Sequence, residues 1–204
     1  MRKQVILSIV AMATFFMASV SVNAQTRVSL GIKGGVNSTF YKYDSESPYS
    51  DSSPELGGSV GGFLKYDFGK WFALQTDLMI HYRNSEMENK YTAEKSKLES
   101  YDLELPVYAV FQTKLGTGKL FFGVGPYIGY GIRAKTGNID MYDKDIAGNR
   151  PMKQLNYGAA TMLGYDFGRF QINCSYISQN GIGVMNNSSG IRRQAFGLGI
   201  GYSL

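Results

Sequence analysis

The chain of 204 residues contains one cysteine, Cys174, and one histidine, His81. A single cysteine excludes an internal disulfide, and one cysteine with one histidine leaves no zinc-type ligand set. Prolines number only 5. Beyond the N-terminus no run approaches the roughly 18 consecutive apolar residues that a membrane helix needs. Charge of one sign is also scarce, with 21 basic against 16 acidic residues. That excess is too mild to argue for a nucleic-acid partner.

What is abundant is glycine, at 25 residues, with 15 tyrosines and 12 phenylalanines. Aromatic stretches punctuated by glycine favour strands over helices, so the expected class is all-β. A length near 200 suits one domain.

The N-terminus places Arg2 and Lys3 before the apolar run Val5 to Val20, then Val22 and Ala24 as small residues ahead of a cut. This reads as a secretory signal peptide over residues 1–24, leaving a domain over 25–204. Loss of Arg2 and Lys3 leaves 19 basic and 16 acidic residues. No cysteine follows the cut, so acylation of the lipoprotein kind is not expected.

The segment "KYDFGKWFALQ" at Lys65 to Gln75 returns as "GYDFGRFQINC" at Gly164 to Cys174. Both copies read as hairpin turns, with Gly69 and Gly168 expected to supply a positive φ. A third turn falls near Thr117, about fifty residues from each. Long polar segments alternate with these turns, at 43–55, 84–100, 134–151 and 178–190. Seven connections make eight strands, with short turns at one end and long loops at the other. Outer-membrane barrels have that asymmetry.

Strand patterns agree. From Phe72 to Arg83 one face carries Phe72, Leu74, Thr76, Leu78, Ile80 and Tyr82, while the other carries Ala73, Gln75, Asp77, Met79, His81 and Arg83. From Tyr101 to Gln112 the second face carries Asp102, Glu104 and Tyr108. The stretch Leu120 to Arg133 puts Gly123, Gly125, Gly129 and Gly131 inward, leaving room for large neighbours. The last strand, from Gln194, repeats the scheme. Runs of ten to fourteen residues exceed the globular mode of about five or six and suit tilted strands that cross hydrocarbon. Tyr66, Phe68, Trp71, Tyr165, Phe167 and Phe170 gather beside the short turns, where an interfacial belt would lie. The fold expected is therefore an eight-stranded antiparallel up-and-down transmembrane β-barrel.

"GIKGGVNSTF", "SYDLELPVYAVF", "FFGVGPYIGYGI" and "LNYGAATMLGYDFGRFQINCSYISQNGIGVMN" resemble the PorT-like outer-membrane β-barrel family over almost the whole mature chain. The resemblance implies a small barrel in the outer membrane of a Gram-negative bacterium, lipid as its surroundings and the barrel assembly machinery as a partner during insertion. It implies no site residues. One departure is the C-terminus, "GYSL", where such barrels usually finish on Phe or Trp.

Candidate chemistry is sparse. Asp77 and His81 share a face, but four residues along a strand is roughly 13 Å, so only Asp102 or Glu104 on the next strand is placed to orient His81. A buried polar network of Lys33, Lys65, Asp77, Arg83, Asp102, Glu104 and Arg133 is the broader expectation. "DMYDKD" at Asp140 to Asp145 lacks the glycine and terminal glutamate of an EF-hand loop. "GVGPYIG" departs from the dinucleotide fingerprint, and neither "DFG" has a kinase setting. Phe63, Tyr108, Phe121 and Tyr127 are expected to fill a narrow lumen. No catalytic, cofactor or metal site is expected, and the function expected is structural or surface interaction, with an unidentified protein partner possible. The rivals are a lipid-acting barrel enzyme built on His81 and a soluble periplasmic ligand carrier.

Overall fold

The computed structural model of the chain describes residues 28–42, 53–88, 95–137, 139–143, 154–179 and 192–204. The expected signal peptide lies outside them, as does most of the long polar segments.

Eight antiparallel strands close on themselves. They are β1 (Val28–Lys42), β2 (Ser53–Asp67), β3 (Phe72–Glu88), β4 (Lys95–Leu115), β5 (Gly118–Thr136), β7 (Leu155–Asp166), β8 (Phe170–Gln179) and β9 (Arg192–Ser203). A two-residue strand, β6 (Ile139–Asp140), extends the edge of β5 beyond the end of β7. Each barrel strand pairs with its sequence neighbours, and β1 pairs with β9 to complete the circle. Closure removes the open edges that would otherwise invite another strand.

The turns β2–β3, β4–β5 and β7–β8 are short, as the repeat predicted, and both ends of the described barrel lie beside them: Val28 pairs with Tyr66, and Phe170 with Tyr202. The two copies of the repeat are not equivalent. Gly168 has φ 91° in a three-residue connection, whereas Gly69 has no positive φ. The first connection, between Asp67 and Phe72, is one residue longer and turns without one. In the middle turn the left-handed residue is Gly116, at φ 61°, next to Thr117. Tyr165 secures that turn, its hydroxyl accepting from Gly118 N–H and donating to the Leu115 carbonyl.

The outer wall is apolar. Ile32, Val60 and Ile200 are 60%, 63% and 61% exposed, and the even positions of β3 and the odd positions of β4 continue the band. Aromatics bound it at both ends. The short-turn girdle includes Phe68, Phe72 and Phe111, with the rings of Phe72 and Phe111 5.7 Å apart. A second girdle at the long-loop end, not anticipated from the sequence, includes Tyr82 against Tyr101 at 5.0 Å and Tyr176 against Phe196 at 4.8 Å. From Tyr101 to Phe111 the strand advances about 33 Å, or roughly 25 Å along the axis at a tilt near 40°, the height of an outer-membrane apolar band.

The interior takes the other face. Phe63, Tyr108, Phe121 and Tyr127 are all buried. Small residues opposite make the space: a Cβ on Gly164 would meet the Phe121 ring, and one on Gly31 would meet Phe63.

Candidate functional site in the barrel interior

Alternation aims Arg83 of β3 and Asp102 and Glu104 of β4 into the lumen, and all three are buried. Arg83 donates Nη1 to Asp102 Oδ2 at 3.0 Å and Nη2 to Glu104 Oε2 at 2.9 Å. Arg193 of β9 mirrors it from across the lumen, donating to Asp102 Oδ2 at 3.2 Å and to Glu104 Oε1 at 2.8 Å. Ser100 adds a hydroxyl donor to Asp102 Oδ2 at 2.9 Å. Two guanidinium forks thus close on two carboxylates, an arrangement whose formal charge cancels. Burying these four ions costs desolvation that only such multiply bonded geometry offsets.

A second pair lies further down the lumen. Lys33 of β1 donates to Asp77 of β3 at 2.6 Å, and Gln75 supplies a second bond to Asp77 at 2.8 Å. Toward the short turns Lys65 of β2 meets Asp166 of β7 at 3.6 Å. Gln112 donates to Asp67 at 2.6 Å. A cavity of about 40 Å³ lies between the upper two layers, lined in part by Lys33, Asp77, His81, Glu104 and Asn173. It has room for about three waters, which suits Asn37 Oδ1 and Asn173 Nδ2, buried atoms without a protein partner among the described residues.

His81 Nε2 lies 3.3 Å from Glu104 Oε2, so of the two carboxylates expected on the next strand Glu104 is the partner. That carboxylate is already held by both arginines. His81 Nδ1 has no hydrogen-bond partner among the described residues, so no hydroxyl there is bonded to the imidazole as a triad nucleophile would be.

Most of the expected network is therefore present, with one exception. Arg133 does not point inward. A bulge inserts Ile132 into β5, so that Tyr101 pairs with Arg133 while Asp102 pairs with Gly131. Ile132 and Arg133 are consecutive exposed residues, and Ala134 returns to the interior. One inserted residue reverses the side on which every later residue lies.

Among the interior residues not read from the sequence are Arg193, Tyr41 and Tyr142. Arg193 lay one residue before the point where the last strand was read to begin, and extending its alternation would have found it. Tyr41 is buried by the same logic at the end of β1. Tyr142 had no such signal. It follows β6 within the segment read as an acidic loop, yet it is buried with its ring over Gly131. Asp140 Oδ1 accepts the Tyr142 backbone N–H at 2.9 Å and shapes the turn that delivers it. Burial pushes the Tyr142 phenol well above its ordinary pKa, so the ring enters as a neutral group. Lys144 and Asp145 of that segment lie outside the described residues. Among the described residues no group of three or more His, Cys, Asp or Glu side chains is placed to hold a metal ion.

The family described as "Outer membrane protein beta-barrel domain" matches residues 23–178. Among solved structures, the outer membrane protein OprG from Pseudomonas aeruginosa is similar at 14% identity and a TM-score of 0.51, over 87% of this chain and 96% of that one. Neisserial surface protein A is similar at 14% identity and 0.49, over 87% and 99%. Ail of Yersinia pestis is similar at 12% and 0.43, over 88% and 100%. At such identities the OprG likeness is one of fold. No curated protein matches the chain.

Proposed function

The chain belongs to the outer membrane protein beta-barrel domain family, and from that premise we propose that it is a non-enzymatic barrel whose lumen is plugged and whose long loops face outward for surface interaction. The mature domain begins at Gln25 after removal of residues 1–24, and the barrel assembly machinery inserts it. A PorT-like role in secretion is not part of this proposal.

The observation that carries the reading is the transverse ionic layer of Arg83, Arg193, Asp102 and Glu104. An eight-stranded barrel has an interior just wide enough for side chains to fill. Here one layer of ions and the rings of Phe63, Tyr108, Phe121 and Tyr127 occupy it. The working surface is then the loops, which the short turns at the other end cannot match in reach.

Two measurements test this. Protein reconstituted in planar bilayers shows no large stable conductance; a steady open channel in the unmodified protein refutes the plug. Tags inserted at Ser50, Thr92, Asp143 or Ser188 are labelled in intact cells, and tags at the turns near Gly69, Thr117 and Gly168 are not. The reverse pattern refutes the orientation.

A further inference from the structure

The bulge at Ile132 puts a cation on the outer wall at the level of an aromatic girdle. Arg133 is exposed and pairs in register with Tyr101, which is itself 43% exposed with its ring tilted 39° to that of Tyr82 at 5.0 Å. An arginine directed into hydrocarbon would be costly, but one beside the girdle meets headgroups.

The neighbouring outward cations have acidic neighbours, two of them as ion pairs. Lys95 is 2.7 Å from Glu86 and Lys97 is 3.4 Å from Glu55. Lys135 sits in register between Glu99 of β4 and Asp140 of β6. Arg133 has no ion pair among the described residues, and its register partner is a tyrosine. The bulge itself is built into the fold. Gly131 gives up its side-chain space to the Tyr142 ring and donates its N–H to the Gln154 carbonyl at 2.7 Å, while β7 ends its pairing with β5 at Tyr130.

We propose that Arg133, with the Tyr101 phenol beside it, binds the phosphate of a membrane lipid in the leaflet at the long-loop end. A guanidinium fork takes two phosphate oxygens, and a phenol O–H supplies a third donor. The orientation proposed above makes this the outer leaflet, so the lipid is its phosphorylated glycolipid; the source rests on that reading, whereas the phosphate chemistry does not.

The test is retention of lipid A of defined phosphorylation by the purified, folded barrel, read by native mass spectrometry. The unmodified protein is expected to retain the phosphorylated form several-fold over the dephosphorylated form, less so at high salt. Arg133→Ala is expected to lower that preference about tenfold, Arg133→Lys to restore part of it, and Tyr101→Phe to weaken it less. Lys114→Ala, at the short-turn end, is the control and leaves the preference unchanged. Heat-modifiability establishes that each variant is folded. Equal retention of both lipid forms by the unmodified protein, or an unchanged preference in Arg133→Ala, overturns the proposal. Phosphate preference that depends on Arg133 while a tag at Asp143 is inaccessible from outside the cell overturns the outer-leaflet source and the orientation together.

Discussion

Arg193 and Glu104 meet at 2.8 Å although β9 and β4 stand four strands apart whichever way the barrel is followed. Their contact therefore runs across the full lumen, and Lys65 with Asp166 repeats the relationship between β2 and β7 nearer the short turns. Strand pairing holds neighbours together; these two contacts hold opposite walls. Removing one partner strands a buried charge, so Arg193→Ala is expected to destabilise the folded barrel by about 3 to 5 kcal/mol. Arg193→Met combined with Glu104→Gln should cost less than Arg193→Ala alone, because Asp102 then pairs with Arg83 without surplus charge. Urea unfolding midpoints in lipid vesicles measure both.

The alternation that located Arg83, Asp102 and Glu104 of this layer was legible because the strands span the wall without interruption from Phe72 to Arg83 and from Tyr101 to Gln112. The same period placed Lys33, Lys65, Phe63 and Phe121 correctly. It misplaced Arg133 because a period-two pattern carries no mark of an inserted residue when both flanking residues, Ile132 and Arg133, suit an outward site at the membrane boundary. It missed Tyr142 because a chain that turns back into the mouth follows no strand period. Gly69 was misread because two turns with one motif differ by a residue in length, which the shared "YDFG" conceals.

Leu78 faces outward near the middle of β3, between the girdle residues Phe72 and Tyr82. Leu78→Arg is expected to cost on the order of 2 to 4 kcal/mol in a bilayer. Met79→Gln, one residue on and buried in the lumen, should be milder because polar partners are available there. Folding efficiency into vesicles separates the two.

Two glycines of β1 make a matched pair. A Cβ on Gly31 would meet the Phe63 ring and the Tyr202 carbonyl, whereas one on Gly34 has nothing nearer than the Ser59 carbonyl at 3.6 Å. Gly31→Val is expected to destabilise by about 1 to 3 kcal/mol through overpacking. Gly34→Val should be tolerated on the lipid face. Thermal unfolding followed by gel mobility reads the difference.

Cys174 is exposed on the outer wall of β8, between Ile172 and Tyr176. A nitroxide attached there should be relaxed by dissolved oxygen and shielded from a water-soluble nickel chelate in reconstituted vesicles. Strong relaxation by the chelate would remove this position from the membrane.

His81 decides between a structural interior and a lipid-acting one. Its Nε2 faces a carboxylate that two arginines already hold, so Glu104 has little freedom to serve as a base or to pass a proton onward. The imidazole contributes packing and one polar contact to the network, and losing them should cost no more than about 2 kcal/mol. His81→Ala is therefore expected to lower the temperature at which the barrel unfolds while leaving the membrane's lipid composition unchanged. Mass spectrometry of extracted lipids, run beside the gel-shift assay, reads both. A folded, heat-modifiable His81→Ala barrel whose host membrane lost a lipid modification would transfer the function to His81 and make Glu104 the next residue to change.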